Sequence, residues 1–156
     1  MIVIADTSPI NYLILIGEIE VLPALFRRVL VPPSVSEELK RPRAPDVVRM
    51  CIAQPPVWLE IRAPGRSPGP DLAHLDAGER DAILLAEELG ADQIIIDEIR
   101  GRREAKRKQL AYIGTLGVLA AGADRGLLDL RSAVNHLRQT SFHISQGVLD
   151  RLIGNA

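Results

Sequence analysis

Two kinds of apolar run alternate along the chain. Ile2-Val3-Ile4-Ala5, Val29-Leu30-Val31 and Gln93-Ile94-Ile95-Ile96 are short and dominated by successive β-branched residues. Runs of this kind suit strands buried on both faces of a parallel sheet. Val57-Trp58-Leu59-Glu60-Ile61 is more mixed and predicts an edge strand, and Ala111 to Gly114 predicts a further short strand. Between them, apolar residues return at helical spacing. Ser8-Pro9 predicts a helix start, with Ser8 as cap and an apolar face at Ile10, Leu13, Ile14 and Ile16. Shorter helices are expected over 18–26, from Pro33 through Leu39, and over 46–53. The strongest helical pattern is Ala82, Ile83, Leu85, Ala86 and Leu89, which stops at Gly90. A polar helix over 99–109, one capped by Thr115, one over 130–137 and one opened by Ile144-Ser145 complete the pattern. Strand–helix alternation of this kind predicts right-handed crossovers and a parallel sheet. The stretch 63–70 is rich in Pro and Gly without apolar periodicity and predicts a mobile surface loop.

At 156 residues the chain fits one domain with a real core. The formal net charge of −1 argues neither for nor against a nucleic-acid partner, so only local clusters bear on that question. Aromatic residues make up 3%, too few for a broad base-stacking platform. Cys51 is the single cysteine, which excludes an internal disulfide and a thiolate-rich metal site. No apolar run is long enough to span a bilayer, and Met1 leads straight into strand-like residues, so a soluble cytoplasmic protein is expected. His74, His136 and His143 are scattered and read as surface residues. No glycine spacing fits a nucleotide-phosphate loop, and no nucleophile elbow is present.

The acids are better placed. Asp6 and Asp97 each end an apolar strand, where open α/β sheets gather their ligands. Adjacent strands would aim both carboxylates at one place, and a hard divalent cation is the usual remedy for such crowding. Glu38 rides beside the core-facing Val35 and Leu39 and is expected near its helix start. Glu79 and Asp81 fall in the first turn of the strongest helix, with Asp76 and Glu98 in reserve. Each acid also has a plain structural explanation. Acids in a first helical turn favour its positive end, Glu38 can pair with Lys40 or Arg41, and Asp6 and Asp97 can serve as helix caps.

Four stretches, in order, resemble the motifs of PIN-domain proteins. They are Ala5-Asp6-Thr7-Ser8-Pro9-Ile10, then Val31-Pro32-Pro33-Ser34-Val35-Ser36-Glu37-Glu38-Leu39. Leu75-Asp76-Ala77-Gly78-Glu79-Arg80-Asp81-Ala82-Ile83 follows, and Ile96-Asp97-Glu98 is the fourth. The later Ile113-Gly114-Thr115-Leu116-Gly117-Val118-Leu119 stretch and the helical tail ending near Leu152 are similar to one PIN-like branch. The resemblance implies an α/β domain of three layers, a central parallel sheet with helices on both faces. It spans residues 1–156, with 130–156 as a helical extension of the same domain. It implies a metal-dependent ribonuclease using Mg²⁺ or Mn²⁺, of the kind found as toxins of bacterial toxin–antitoxin pairs. Carried over by position, the family's acids fall on Asp6, Glu38 and Asp97, and its third acid on Glu79, with Asp81 as the rival. Thr7 and Ser8 stand for the family's hydroxyl near the first Asp. Expected partners are RNA, an antitoxin protein and a second copy of the chain, with no membrane.

The helix after Asp97 is crowded with Arg100, Arg102, Arg103, Lys106, Arg107 and Lys108, opposed by Glu98 and Glu104. It reads either as a solvated face laced with pairs such as Glu104–Lys108, or as a phosphate-binding face beside a metal pocket. An antitoxin segment would be a third use. Two other functions remain open at this stage: an inactive module binding RNA or a protein, and a metal-dependent phosphatase.

Overall fold

In the computed structural model, residues 1–154 are described, so the last two residues of the expected C-terminal extension lie outside them. Five short strands form one all-parallel sheet in the order β3-β2-β1-β4-β5. They are β1 (Val3–Ala5), β2 (Val29–Val31), β3 (Leu59–Ile61), β4 (Gln93–Ile95) and β5 (Tyr112–Ile113). The chain runs outward from β1 to β3, then returns to β4 beside β1 and continues to β5. The order therefore reverses between β1 and β4, and a crevice opens there at the carboxyl ends of the strands.

The helices are α1 (Thr7–Leu15), α2 (Val21–Phe26), α3 (Pro33–Leu39), α4 (Asp46–Ala53), α5 (Ala77–Leu89), α6 (Ile99–Arg107), α7 (Thr115–Asp124), α8 (Leu130–Arg138) and α9 (Gln146–Ile153). Alternating strand residues feed two cores. Val3, Ala5, Val29, Val31 and Ile95 face one core with α1, α2, α4 and α7; α8 adds Ala133 and Leu137 to it. Ile4, Leu30, Ile94 and Ile96 face the other, filled by Ala82, Ile83, Leu85 and Ala86 of α5 and Ala105 of α6. β1, β2 and the Ile94-Ile95 part of β4 are continuous apolar runs because both faces are covered there, giving an α/β domain of three layers.

Several local expectations are corrected. The first helix begins at Thr7, so the cap position is Asp6 rather than Ser8. The second helix begins at Val21, because residues 18–20 are spent on the turn that follows Gly17, whose φ is +75°. Glu38 stands in the last turn of the two-turn α3, not near its start. The 63–70 loop is exposed as expected but tethered: Gly65 N–H donates to both carboxylate oxygens of Glu88 at 2.8 Å, and Arg66 pairs with Glu87. A short 3-10 turn, Pro70–Leu72, then buries Leu72 in the α5 core.

Candidate active site

Asp6 follows β1 directly, and its N–H donates to Ile95 O across the β1–β4 pair at 2.9 Å. That bond fixes the residue at the reversal of the sheet. The side chain is 4% exposed and does not cap α1. Burial pushes its carboxyl up to about 7; the Thr7 N–H draws it down, and the charges of Asp76, Glu38 and Asp97 raise it again. Three other acids therefore act on this one group, which makes Asp6 the electrostatic centre of the crevice.

Glu38 reaches the same ground from α3. Thr7 Oγ1–H donates to Glu38 Oε2 at 3.0 Å, so the structure pairs Glu38 with Thr7 rather than with Lys40 or Arg41. The C-terminal turn of a helix is its negative end, so the backbone disfavours a carboxylate there. Gly78, in the first turn of α5, closes this side. A Cβ at Gly78 would lie 3.1 Å from Asp6 Oδ1, 3.2 Å from Glu38 Oε2 and 3.2 Å from Thr7 Oγ1. The two carboxylates thus border one small space that only glycine leaves open.

Glu79 comes next in α5, and its N–H is taken by the Asp76 cap at 2.9 Å. Its side chain turns inward and is 1% exposed. Both carboxylate oxygens are buried and accept no hydrogen bond from the described residues. Burial raises the carboxyl well above its ordinary range, with Asp76 next and Asp6 adding to it; Arg100, whose Nη2 lies 3.9 Å from Oε1, opposes. A favourable place at a helix start explains a carboxylate near α5, but not one buried without a hydrogen bond to either oxygen. Its rival Asp81 is partly buried and takes Arg80 Nε–H at 3.0 Å.

Asp97 lies just beyond β4. Thr115 N–H donates to Oδ1 and Thr115 Oγ1–H to Oδ2, both at 2.7 Å. Thr115 was expected to cap α7; it is instead fully buried and clamps Asp97, while Gly114 takes the cap position. Asp97 does not cap α6 either, since Glu98 holds that place and is exposed. Arg102 Nε–H donates to Ile96 O at 3.0 Å, and its Nη2 lies 3.9 Å from Asp97 Oδ1. A Cβ at Gly114 would run into Arg102 Nη2 and stand 2.9 Å from Asp97 Oδ1.

A family model described as a PIN domain matches residues 2–156. The chain belongs to the PIN-domain family. No curated protein is similar enough to match it. The PIN domain is a nuclease-type fold, and such nucleases typically use divalent metals. Among the described residues, no three His, Cys, Asp or Glu side chains close into a ready-made cage. The donor chemistry nevertheless fits a hard cation. The donors are carboxylate oxygens, two of them orphaned on Glu79, and Asp6 is crowded by three like charges. Asp97 also qualifies, because each of its hydrogen-bonded oxygens keeps a lone pair. Among the described residues, no helix is long and apolar enough to cross a membrane.

Thr7, Thr115 and Gly78 were the residues whose roles the sequence concealed. Thr7 stood only as the family's hydroxyl, Thr115 read as a cap and Gly78 as part of a helix start. Their partners are 31, 18 and, for the contact of Gly78 with Asp6, 72 positions away, so no local pattern reveals them.

Proposed function

We propose that this PIN domain is a metal-dependent endoribonuclease that hydrolyses RNA phosphodiester bonds, with Asp6, Glu38, Glu79 and Asp97 holding Mg²⁺ or Mn²⁺. The observation that carries the reading is Glu79: a carboxylate buried beside Asp6 and Asp76, whose oxygens accept no hydrogen bond from the described residues and have only the exposed Arg100 guanidinium at 3.9 Å. A fold keeps such a group when something positive offsets it. When bound, a divalent cation lowers the pKa of a coordinated water and offsets the charge of the phosphodiester in the transition state.

The chain's own residues prepare that chemistry. Thr115 holds both oxygens of Asp97 in a fixed plane, and Thr7 fixes one oxygen of Glu38. Gly78 keeps the space between Asp6 and Glu38 clear. Arg100 and Arg102 stand at the rim, each about 4 Å from an acid, where a phosphate oxygen can take their remaining N–H groups. We also infer that the protein acts in the cytoplasm as the toxin of a toxin–antitoxin pair, as a homodimer checked by an antitoxin protein. Family membership supports that reading, and relief of growth arrest by a neighbouring small reading frame tests it.

The decisive experiment is cleavage of labelled single-stranded RNA with Mn²⁺ and with EDTA, for wild type and Asp97→Asn. Cleavage should require the metal and fall at least about 100-fold in the variant, since one ligand charge is lost. Cleavage that survives EDTA, or is equal in the variant, overturns the reading. Tight RNA binding without cleavage would favour an inactive module, and hydrolysis confined to monoesters a phosphatase.

A further inference from the structure

The ion pairs decide which cations are available to a polyanion. On α6, Arg107 is paired with Glu104 at 2.9 Å. Lys108, just after the helix, pairs with Asp71 at 2.7 Å and Glu87 at 3.3 Å, not with Glu104 as its spacing suggested. Arg100 is held between Glu79 and the His74 carbonyl, and Arg102 between Asp97 and the Ile96 carbonyl. Only Arg103 and Lys106 of the basic run have no ion-pair partner among the described residues. Charges already paired attract an RNA backbone weakly, because the pair must be broken or the partner's repulsion accepted.

On the β2 side of the crevice two cations likewise stand unpaired, and there they line a groove that reaches the acids. The α3–α4 connection carries Arg41 and Arg43, both exposed and both without an ion-pair partner among the described residues. The connection is a formed turn: Arg41 N–H donates to Glu38 O at 3.3 Å and Ala44 N–H to Arg41 O at 3.0 Å. The two arginines line a groove of about 350 Å³ together with Ser8, Asn11 and Tyr12 of α1. The lining of that groove also includes Thr7 and Glu38, the same side chains that border the acid cluster.

The groove has the chemistry of a single-stranded nucleotide seat. Its volume is at the low end of small-ligand sites, which run from about 300 Å³ upward. Tyr12 is immobilised by an edge-on contact with Phe142 at 5.0 Å and a 2.8 Å hydrogen bond with Ser141, so little side-chain freedom is lost on binding. The Asn11 amide offers a donor and an acceptor to a base edge.

We propose that this groove seats the nucleotide next to the scissile phosphate, with Arg41 and Arg43 neutralising the backbone phosphates and Asn11 and Tyr12 meeting the base. The proposal rests on the ribonuclease reading and adds the path and polarity of the strand: it leaves the metal site toward the α3–α4 turn rather than along α6. A strand drawn toward four carboxylates needs unpaired cations beside them, and this groove combines two with a Tyr, an Asn and a wall shared with the acid cluster.

The test compares two double variants, Arg41→Ala/Arg43→Ala and Arg103→Ala/Lys106→Ala, by fluorescence anisotropy with a single-stranded RNA oligonucleotide in EDTA across a salt series. Losing two phosphate contacts should weaken binding at low salt about 10-fold or more and flatten the salt slope by about 1.4 for a single strand. The α6 pair is equally unpaired but lines no part of the groove, so it should change binding less than about threefold. Arg41→Lys/Arg43→Lys should recover the salt slope, which a merely structural turn would not predict. Asn11→Ala should narrow the spread of affinities among homopolymeric oligonucleotides. An unchanged slope in the first variant, an equal or larger loss in the α6 variant, or a wild type that binds no RNA overturns the groove. The ribonuclease reading is tested separately by Mn²⁺-dependent hydrolysis of bis(p-nitrophenyl) phosphate by wild type, a diester too small to need the groove. Failure there with the binding differences intact removes the enzyme and keeps the groove.

Discussion

Removing a charge from the centre of the site should stabilise the protein, and the sign of that effect follows from Asp6. Its carboxyl is raised from 3.8 to about 7, first by burial and then by neighbouring acids. The folded protein therefore binds more protons than the unfolded chain between those two values, and stability falls as pH rises through that window. About three pK units at about 1.4 kcal/mol each set a ceiling near 4 kcal/mol. Relaxation and water entry will reduce it, so a gain of about 1–3 kcal/mol is expected for Asp6→Asn at about pH 8. For a domain of this size that is a rise in Tm of roughly 3–10 °C. Near pH 4 the two proteins should converge, because Asp6 is then neutral when folded. Metal should close or reverse that gap: an ion at about 100 times its Kd adds about 2.7 kcal/mol to wild type and little to the variant. Thermal melts in EDTA and in Mn²⁺ across this pH range measure all three effects. A lower Tm for Asp6→Asn at pH 8 in EDTA would refute the argument, as would equal stabilisation of both proteins by Mn²⁺.

Gly78→Ala places a methyl between Asp6 and Glu38 at a helical position with ordinary backbone geometry. The three contacts of 3.1–3.2 Å must give, which offsets alanine's helical advantage of up to about 1 kcal/mol, so Tm should move by only a few degrees while Mn²⁺-dependent RNA cleavage drops at least about 10-fold. Thr115→Val removes the hydroxyl donor to Asp97 and should cost about 1–3 kcal/mol by urea melt, whereas Thr115→Ser should recover most of it; equal losses would mean that packing rather than the clamp matters. Ile95→Ala empties a site in β4 that is fully buried and should cost about 2–5 kcal/mol. Glu88→Ala releases the Gly65 amide, so limited proteolysis within 63–70 should quicken; an unchanged rate would show that the tether does not restrain the loop.

The sequence by itself determined the layers. Ile94-Ile95-Ile96 and Val29-Leu30-Val31 are apolar at every position, which only a doubly covered strand can use, and the interleaved helical periodicity supplies the covers. Asp6 and Asp97 were legible as candidates for the same reason: a charge at the end of such a strand is a local anomaly. Which acids share ground was decided by the tertiary structure alone. Strand order puts β1 beside β4, and only that neighbourhood makes Asp6 and Asp97 a crevice rather than two loop residues. The inward turn of Glu79 and the outward pairing of Asp81 differ by half a helical turn, a choice made by how α5 lies on the sheet. The same holds for the cations. Arg41 and Arg107 look alike in sequence, but among the described residues one has no ion-pair partner and the other is held by Glu104, because pairing depends on which helix faces which. Local chemistry sets what each residue can do; long-range packing, which no short window contains, sets which residues do it together.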